Sequence, residues 1–224
     1  MFGKPRNFTM QHAYWGRSDS DAEISDFLRQ NDIPFRCFEN DDELLDGVAE
    51  GLIQGKVVGW SQDRFGWGPR ALGNRSILAD PRNPDMKDNV NAKIKLREPY
   101  RPFAPSVLSE CAEKYFDLPQ AKCHHPAKYM LNVVPVRESQ RNTLPATTHV
   151  DGTGCLQTVV RDQSPPYYRL IERFGQITGV PVLLNTSFNL KGEPIVNTPA
   201  NAFDTFSKSE MDSFVLENFL VEKK

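Results

Sequence analysis

Positive charge in this chain is gathered into one stretch. Residues 56–101 carry ten basic side chains against five acidic ones, a balance of +5. Residues 1–55 hold five basic and eleven acidic residues (−6), and residues 102–224 hold twelve and thirteen (−1), which sums to the net charge of −2. A binder of long polyanions is basic over a whole face. A slightly acidic chain with one concentrated basic stretch is suited instead to enclosing a small anion. No RRM, zinc-finger or helix-turn-helix pattern is present, so nucleic acid is not the expected partner.

Two segments carry this charge. The first is Gly66-Trp67-Gly68-Pro69-Arg70-Ala71-Leu72-Gly73-Asn74-Arg75-Ser76. Its three glycines allow close backbone approach. Arg70 and Arg75 offer fork-shaped donors matched to phosphate or carboxylate oxygens, and Asn74 and Ser76 add neutral ones. It is not a P-loop, because G-x-x-x-x-G-K-[ST] is absent. The second segment runs Lys93-Ile94-Lys95-Leu96-Arg97-Glu98-Pro99-Tyr100-Arg101-Pro102-Phe103-Ala104-Pro105-Ser106. Prolines stiffen it and hold the charges at low entropic cost. The plain alternatives are a surface turn and a charged helix end. Taken together the two segments favour an anion pocket, since so many cations in one place repel one another without a counter-ion.

A third segment, Leu184-Asn185-Thr186-Ser187-Phe188-Asn189-Leu190-Lys191-Gly192-Glu193-Pro194, puts polar side chains at the end of an apolar run. Ligands of α/β sheets bind off such strand ends; an Asx-type turn is the alternative. A fourth, His149-Val150-Asp151-Gly152-Thr153, pairs a possible acid–base histidine with an aspartate that equally suits a turn. Cys123-His124-His125 lacks a partner pair at ligand spacing, so no metal site is expected. The four scattered cysteines read as reduced thiols. No apolar run approaches membrane-spanning length and no secretory signal is visible, so the expected location is cytoplasmic.

Periodicity predicts helices over 21–30 (behind the Ser20-x-x-Glu23 capping box), from a cap at Asp41 to about 54, and over 84–96, 109–116, 166–178 and 200–207. Strands are predicted over 34–38, 56–60, 103–109, 129–136, 156–160, 180–184 and 214–216. Residues 61–82 read as a long irregular segment. The alternation implies an α/β (α+β) domain with a mixed sheet: a lead-in over 1–13, then one domain over 14–222 whose first part, 14–60, is an α/β front unit.

The run Gly68–Arg82, the pattern Lys95-x-Arg97-Glu98-x-x-Arg101-Pro102-Phe103-Ala104-Pro105-Ser106 and Asn185-Thr186-Ser187-Phe188-Asn189 together resemble the O-carbamoyltransferases of the nodulation-factor, cephamycin and tobramycin type. The likeness extends from Tyr14 to Val221 and covers that family's C-terminal half. It implies a YrdC-like fold, a twisted mixed sheet around a concave, positively charged cavity with flanking helices. It further implies binding of carbamoyl phosphate and ATP, formation of carbamoyl-adenylate, and a Kae1-like N-terminal domain or subunit as partner, which passes the carbamoyl group to an acceptor hydroxyl. By the same resemblance Arg70, Lys95 and Arg101 are the catalytic cations. Asn74, Arg75, Ser76, Arg97, Asn185, Thr186, Ser187 and Asn189 are the ATP and carbamoyl-phosphate contacts, and Mg²⁺ is carried with the ATP. Where the family usually reads Asp-Gly-Thr-Ala-Arg, this chain reads Asp151-Gly152-Thr153-Gly154-Cys155. Losing one charge-assisted phosphate contact costs ~1.5–3 kcal/mol, with Arg161 a candidate for compensation. The departure motivates an alternative, a non-catalytic nucleotide-binding or regulatory module. An RNA binder of YrdC type is a further alternative.

Overall fold

The computed structural model describes residues 3, 5 and 7–223. Residues 1, 2, 4 and 6 of the expected lead-in lie outside the described residues, as does the side chain of Lys93. The later part of the lead-in is packed down. Ala13 and Tyr14 are buried, and the Tyr14 hydroxyl donates to the Leu72 carbonyl at 2.8 Å.

Local signals set the first helices. Ser20 accepts from the Glu23 N–H while Glu23 accepts from the Ser20 N–H, and this reciprocal cap starts α1 (Asp21–Gln30). After a two-residue strand β1 (Arg36–Cys37) comes α2 (Asp41–Ile53). Its cap is Asn40 rather than Asp41; Asn40 accepts from the Asp42 N–H, and Asp41 falls in the first turn, where its charge suits the helix dipole. Then follow β2 (Val58–Ser61) and β3 (Arg75–Ala79).

The strand β3 is the main departure from the sequence reading, which assigns those residues to an irregular segment. All five are buried. A five-residue run is too short to show periodicity, and neighbouring strands on both sides decide its conformation. The predicted helix over 84–96 divides into α3 (Met86–Asn89) and a π-helical turn, Val90–Lys95, with Met86, Val90 and Ile94 buried as expected. That turn ends on Leu96 in the left-handed region, at φ +48°.

The remaining elements are β4 (Ala104–Leu108), α4 (Ala112–Tyr115), β5 (Val133–Pro135), α5 (Glu138–Arg141), β6 (Thr153–Cys155), β7 (Gln157–Val159), α6 (Pro165–Thr178), β8 (Val182–Ser187), α7 (Pro199–Ser207), β9 (Ser213–Leu216) and β10 (Phe219–Glu222). The predicted strand over 129–136 is shorter, because Tyr129 closes a 3₁₀ turn and Met130 is left-handed. The last strand, β10, escapes the sequence reading. It returns antiparallel on β9 after a two-residue turn.

Eight strands form one mixed sheet in the order β1-β10-β9-β2-β3-β8-β4-β7; β5 and β6 form a separate pair. Within the large sheet β2/β9 and β4/β7 are parallel and the other neighbours antiparallel. Helices cover both faces. Ile24 and Leu28 of α1 and Ala202 and Phe206 of α7 pack with Ile77 and Leu184 on one side. The apolar faces of α2 and α6 pack with Trp60, Leu78 and Leu183 on the other. At Gly73, with φ +95°, an added Cβ would lie 2.1 Å from Tyr167 Cδ1, so the bend entering β3 requires glycine. Among the described residues no helix is long and apolar enough to cross a membrane.

Candidate functional site

Because β8 runs antiparallel to both β3 and β4, its C-terminal end meets their starts. A cavity of ≈ 560 Å³ opens there. The three sequence segments converge on it: Pro69–Ala71 from the loop before β3, Lys95, Arg97 and Arg101–Ala104 from the π turn and the proline-rich run, and Asn185–Ser187 with Asn189–Gly192 from the end of β8. Among the described residues five cations line it, Arg70, Lys95, Arg97, Arg101 and Lys191, and no carboxylate does.

These cations are held differently. Lys95 is 4% exposed, and its ammonium donates to Ser187 O at 2.7 Å, Asn189 O at 2.8 Å and Asn189 Oδ1 at 2.8 Å. All three N–H groups are therefore engaged. Burial, reinforced by Arg97 and Arg101, brings its pKa down to about 7. Arg97 lies over the Phe103 ring and donates to Asn91 Oδ1 at 2.6 Å; burial, then Arg101, lowers it to about 10. Arg70 and Arg101 are exposed and, among the described residues, their guanidiniums make no hydrogen bond or ion pair. They are the free donors. Lys191 reaches Glu98 at 3.5 Å.

The floor is a fixed polar network. Gln157 Nε2 donates to the Leu72 carbonyl at 2.8 Å, which leaves Gln157 Oε1 to accept from Asn185 Nδ2 at 2.8 Å. Asn185 Nδ2 also donates to Ser106 Oγ at 3.0 Å. Both amide protons of Asn185 are thus used, and its buried Oδ1 has no donor in the protein. Oδ1 is thus the atom of the Asn185 amide left without a partner among the described residues. Thr186 and Ser187 line the wall beside it.

His149 and Cys155 also line the cavity. Asp151 is an Asx-turn residue whose Oδ1 accepts from the Thr153 N–H at 3.0 Å and the Thr153 hydroxyl at 2.7 Å. With its proton given to Asp151, the Thr153 hydroxyl accepts from His149 Nδ1, 3.0 Å away, so the neutral ring carries its lone pair on Nε2. Burial lowers the His149 pKa, opposed by Asp151. Arg161 does not replace the arginine expected at position 155. It pairs with Glu172 at 2.6 Å and lies over Tyr168, and it does not line the cavity.

Three residues of the first segment turn away from the cavity. Arg75 is 3% exposed and donates to the Gln62 and Asn74 carbonyls at 2.8 and 2.7 Å. Asn74 donates to the Arg64 carbonyl and accepts from Ser164 Oγ. Ser76 Oγ accepts from the Gly73 N–H. All three build the entry to β3, because the unrecognised strand begins at Arg75. Conversely, Met130 and Val133 form apolar wall that no sequence signal indicates, beside Phe103 of the second segment. No three His, Cys, Asp or Glu side chains converge on a metal position among the described residues, and the cavity wall supplies no carboxylate. The chain's own residues thus give Mg²⁺ no ligand set in this cavity.

The basin lined by cations lies where sheet strands end in an α/β domain, and the fold places that domain among known structures. It is YrdC-like. The chain superimposes on full-length HypF in its phosphate- and nucleotide-bound form with a TM-score of 0.57 and 19% identity, covering 79% of this chain and 25% of that one. Against P. abyssi Sua5 complexed with L-threonine the TM-score is 0.55 and the identity 16%, over 78% and 46% of the two chains. The sequence matches the family described as carbamoyltransferase C-terminus over residues 49–223, and the chain belongs to that family. It is 48% identical to nodulation protein NolNO of Sinorhizobium fredii over 96% of this chain and 31% of that protein. It is 44% identical to NolO of Bradyrhizobium diazoefficiens, over 94% and 38%. With the 3'-hydroxymethylcephem-O-carbamoyltransferase of Amycolatopsis lactamdurans it shares 43% identity over 68% of this chain and 28% of that enzyme. The chain spans about a third of the length of these curated relatives.

Proposed function

We propose that this chain is the part of a carbamoyltransferase that binds ATP and carbamoyl phosphate and forms carbamoyl-adenylate, which a Kae1-like domain or subunit then uses to carbamoylate an acceptor hydroxyl. The observation that carries the reading is the cavity with five cations and no carboxylate. Carbamoyl phosphate loses inorganic phosphate to water, leaving carbamate. A carbamate oxygen then attacks the α-phosphorus of ATP, the bond from that phosphorus to the β-phosphate oxygen breaks, and pyrophosphate leaves. Two anions must approach each other in this step. Fixed cations at the developing charge and exact positioning supply what is needed, without a protein nucleophile.

In this reading the free guanidiniums of Arg70 and Arg101 grip phosphate oxygens. Lys95, its protons engaged, acts by its field and by tying the Ser187–Asn189 turn in place. Asn185 Oδ1 suits the carbamoyl amino group, a donor that phosphate and ATP phosphates lack. Mg²⁺ is carried on the nucleotide phosphates, and its role there is to neutralise their charge.

Calorimetric titration with Mg·ATP, with and without carbamoyl phosphate, tests the proposal. Binding that strengthens when both are present is the expected result. Absence of binding by either ligand refutes it. Nucleotide binding indifferent to carbamoyl phosphate supports the non-catalytic module that Cys155 suggests.

A further inference from the structure

A second cavity, of ≈ 310 Å³, shares no residue with the first and has the opposite charge. It lies where the N-terminal ends of α2 and α6 meet the β9–β10 turn, and is lined by Asp21, Glu39, Asp41 and Glu217 with Arg169 as its single cation. Arg169 is already engaged, at 2.9 Å from Asp41 and 2.9 Å from Asp42. Among the described residues Asp21, Glu39 and Glu217 make no ion pair. Burial pushes the Glu217 carboxyl up to about 7; its bond from the Asp63 N–H and the Arg75 guanidinium oppose this, while Asp63 and Asp21 add to it. Arg36 lies over the Phe38 ring at 4.8 Å, and with Arg169 already paired the carboxylates of this wall outnumber the cations.

The wall beneath the carboxylates is apolar, with Phe38, Leu44, Leu45 and Trp60. Trp60 is 0% exposed, and its indole N–H, the only polar group of that side chain, has no acceptor in the protein. Asn218, which also lines the cavity, donates to the Phe38 carbonyl at 3.3 Å but leaves its buried Oδ1 without a donor. A buried donor and a buried acceptor left unpaired each cost ~1–3 kcal/mol. Both faults are relieved by a guest that supplies an oxygen to Trp60 and an N–H to Asn218.

We propose that this cavity binds a small organic cation, bearing a guanidinium or ammonium group and a hydrogen-bond-accepting oxygen. The charge satisfies the unpaired carboxylates, an N–H serves Asn218 Oδ1, the oxygen serves Trp60 Nε1, and the carbon body covers Phe38 and the two leucines. A bare metal ion does not match this wall, because no three ligating groups converge there among the described residues. The site stands independently of the adenylation chemistry assigned to the cationic cavity.

Nα-acetyl-L-argininamide is a suitable probe, with Nα-acetyl-L-citrullinamide as its neutral isostere. The readout is the Trp60 indole N–H resonance in a nitrogen–proton correlation spectrum of the chain, assigned with Trp15→Phe and Trp67→Phe variants. The expected result is a saturable shift of that resonance with the acetylated argininamide and none with the acetylated citrullinamide. An Asp21→Asn/Glu39→Gln variant weakens binding by at least ~10-fold, the effect of removing a charge-assisted contact. A resonance that does not move, equal shifts from both amides, or an unchanged affinity in the variant overturns the site. A capped Gly-Arg-Gly peptide separates two sources of the same chemistry: equal binding points to an arginine carried on a protein, weaker binding to a free cation. Mg·ATP affinity, measured in parallel on the same variant, stays unchanged, so failure here is distinguishable from failure of the ATP site.

Discussion

The depressed pKa of Lys95 makes anion binding pH-dependent in a calculable way. In the free chain its pKa is about 7, because the ammonium is buried and faces Arg97 and Arg101. An anion in the cavity favours the charged form and raises that pKa. A neighbouring opposite charge moves a pKa by ~1–3 units, so the protonated chain binds ~10- to 1000-fold more tightly than the deprotonated one. The sign follows from linkage. Below about pH 7, Lys95 is already charged in the free chain and its contribution to affinity is at its maximum. As pH rises from there to the bound-state pKa, binding must first recruit a proton, and affinity falls by up to ~tenfold per pH unit. Sulfate is the probe of choice, since it does not titrate in this range, unlike phosphate or ATP. Titrations across the neutral to mildly alkaline range, in buffers of different ionisation enthalpy, should show falling affinity and proton uptake near neutrality. His149 lines the same cavity with a lowered pKa, so its contribution falls on the acid side. Lys95→Met should flatten the alkaline slope and leave the acid side. Sulfate affinity constant across the range, or the same slope in Lys95→Met, refutes the reasoning.

Other consequences concern single residues. Arg70→Ala and Arg101→Ala should each weaken ATP or sulfate binding by ~10- to 100-fold with an unchanged melting temperature, because neither guanidinium holds the fold together. Arg75→Met should do the reverse. It orphans the carbonyls of Gln62 and Asn74 and should lower unfolding free energy by about 2–3 kcal/mol in denaturant titration, with ligand affinity intact. Cys155→Arg places a cation in the cavity wall and should tighten ATP binding about tenfold in calorimetry; no change would mean that the thiol position does not face the phosphates.

Much of the site was legible in the sequence because charge density and strand-end polarity are local properties. Lys95, Arg97, Arg101, Asn185, Thr186, Ser187 and Asn189 line the cavity where the basic stretch and the polar strand end imply. The motif around Arg75 shows the limit. Gly73, Asn74, Arg75 and Ser76 look like ligand donors, yet Arg75 opens a buried strand whose existence depends on β2 and β8 lying on either side. A residue's facing within a strand follows from register, and register is a non-local fact. The same holds for β10, visible only once β9 and β1 flank it. Asn185 was legible as a polar residue of the site, but the unpartnered state of its Oδ1 was not. That state follows from the chain of hydrogen bonds beginning at the Leu72 carbonyl, more than a hundred residues away in sequence.

The most direct test of the adenylation reading is phosphorus NMR of the chain with Mg·ATP and carbamoyl phosphate, alone and with the N-terminal portion of NolO supplied as a separate polypeptide. The expected result is inorganic phosphate and pyrophosphate released in equal amounts, with a new phosphate resonance for carbamoyl-adenylate, all abolished in Arg70→Ala. ATP bound but unchanged in both mixtures, with no pyrophosphate, contradicts it.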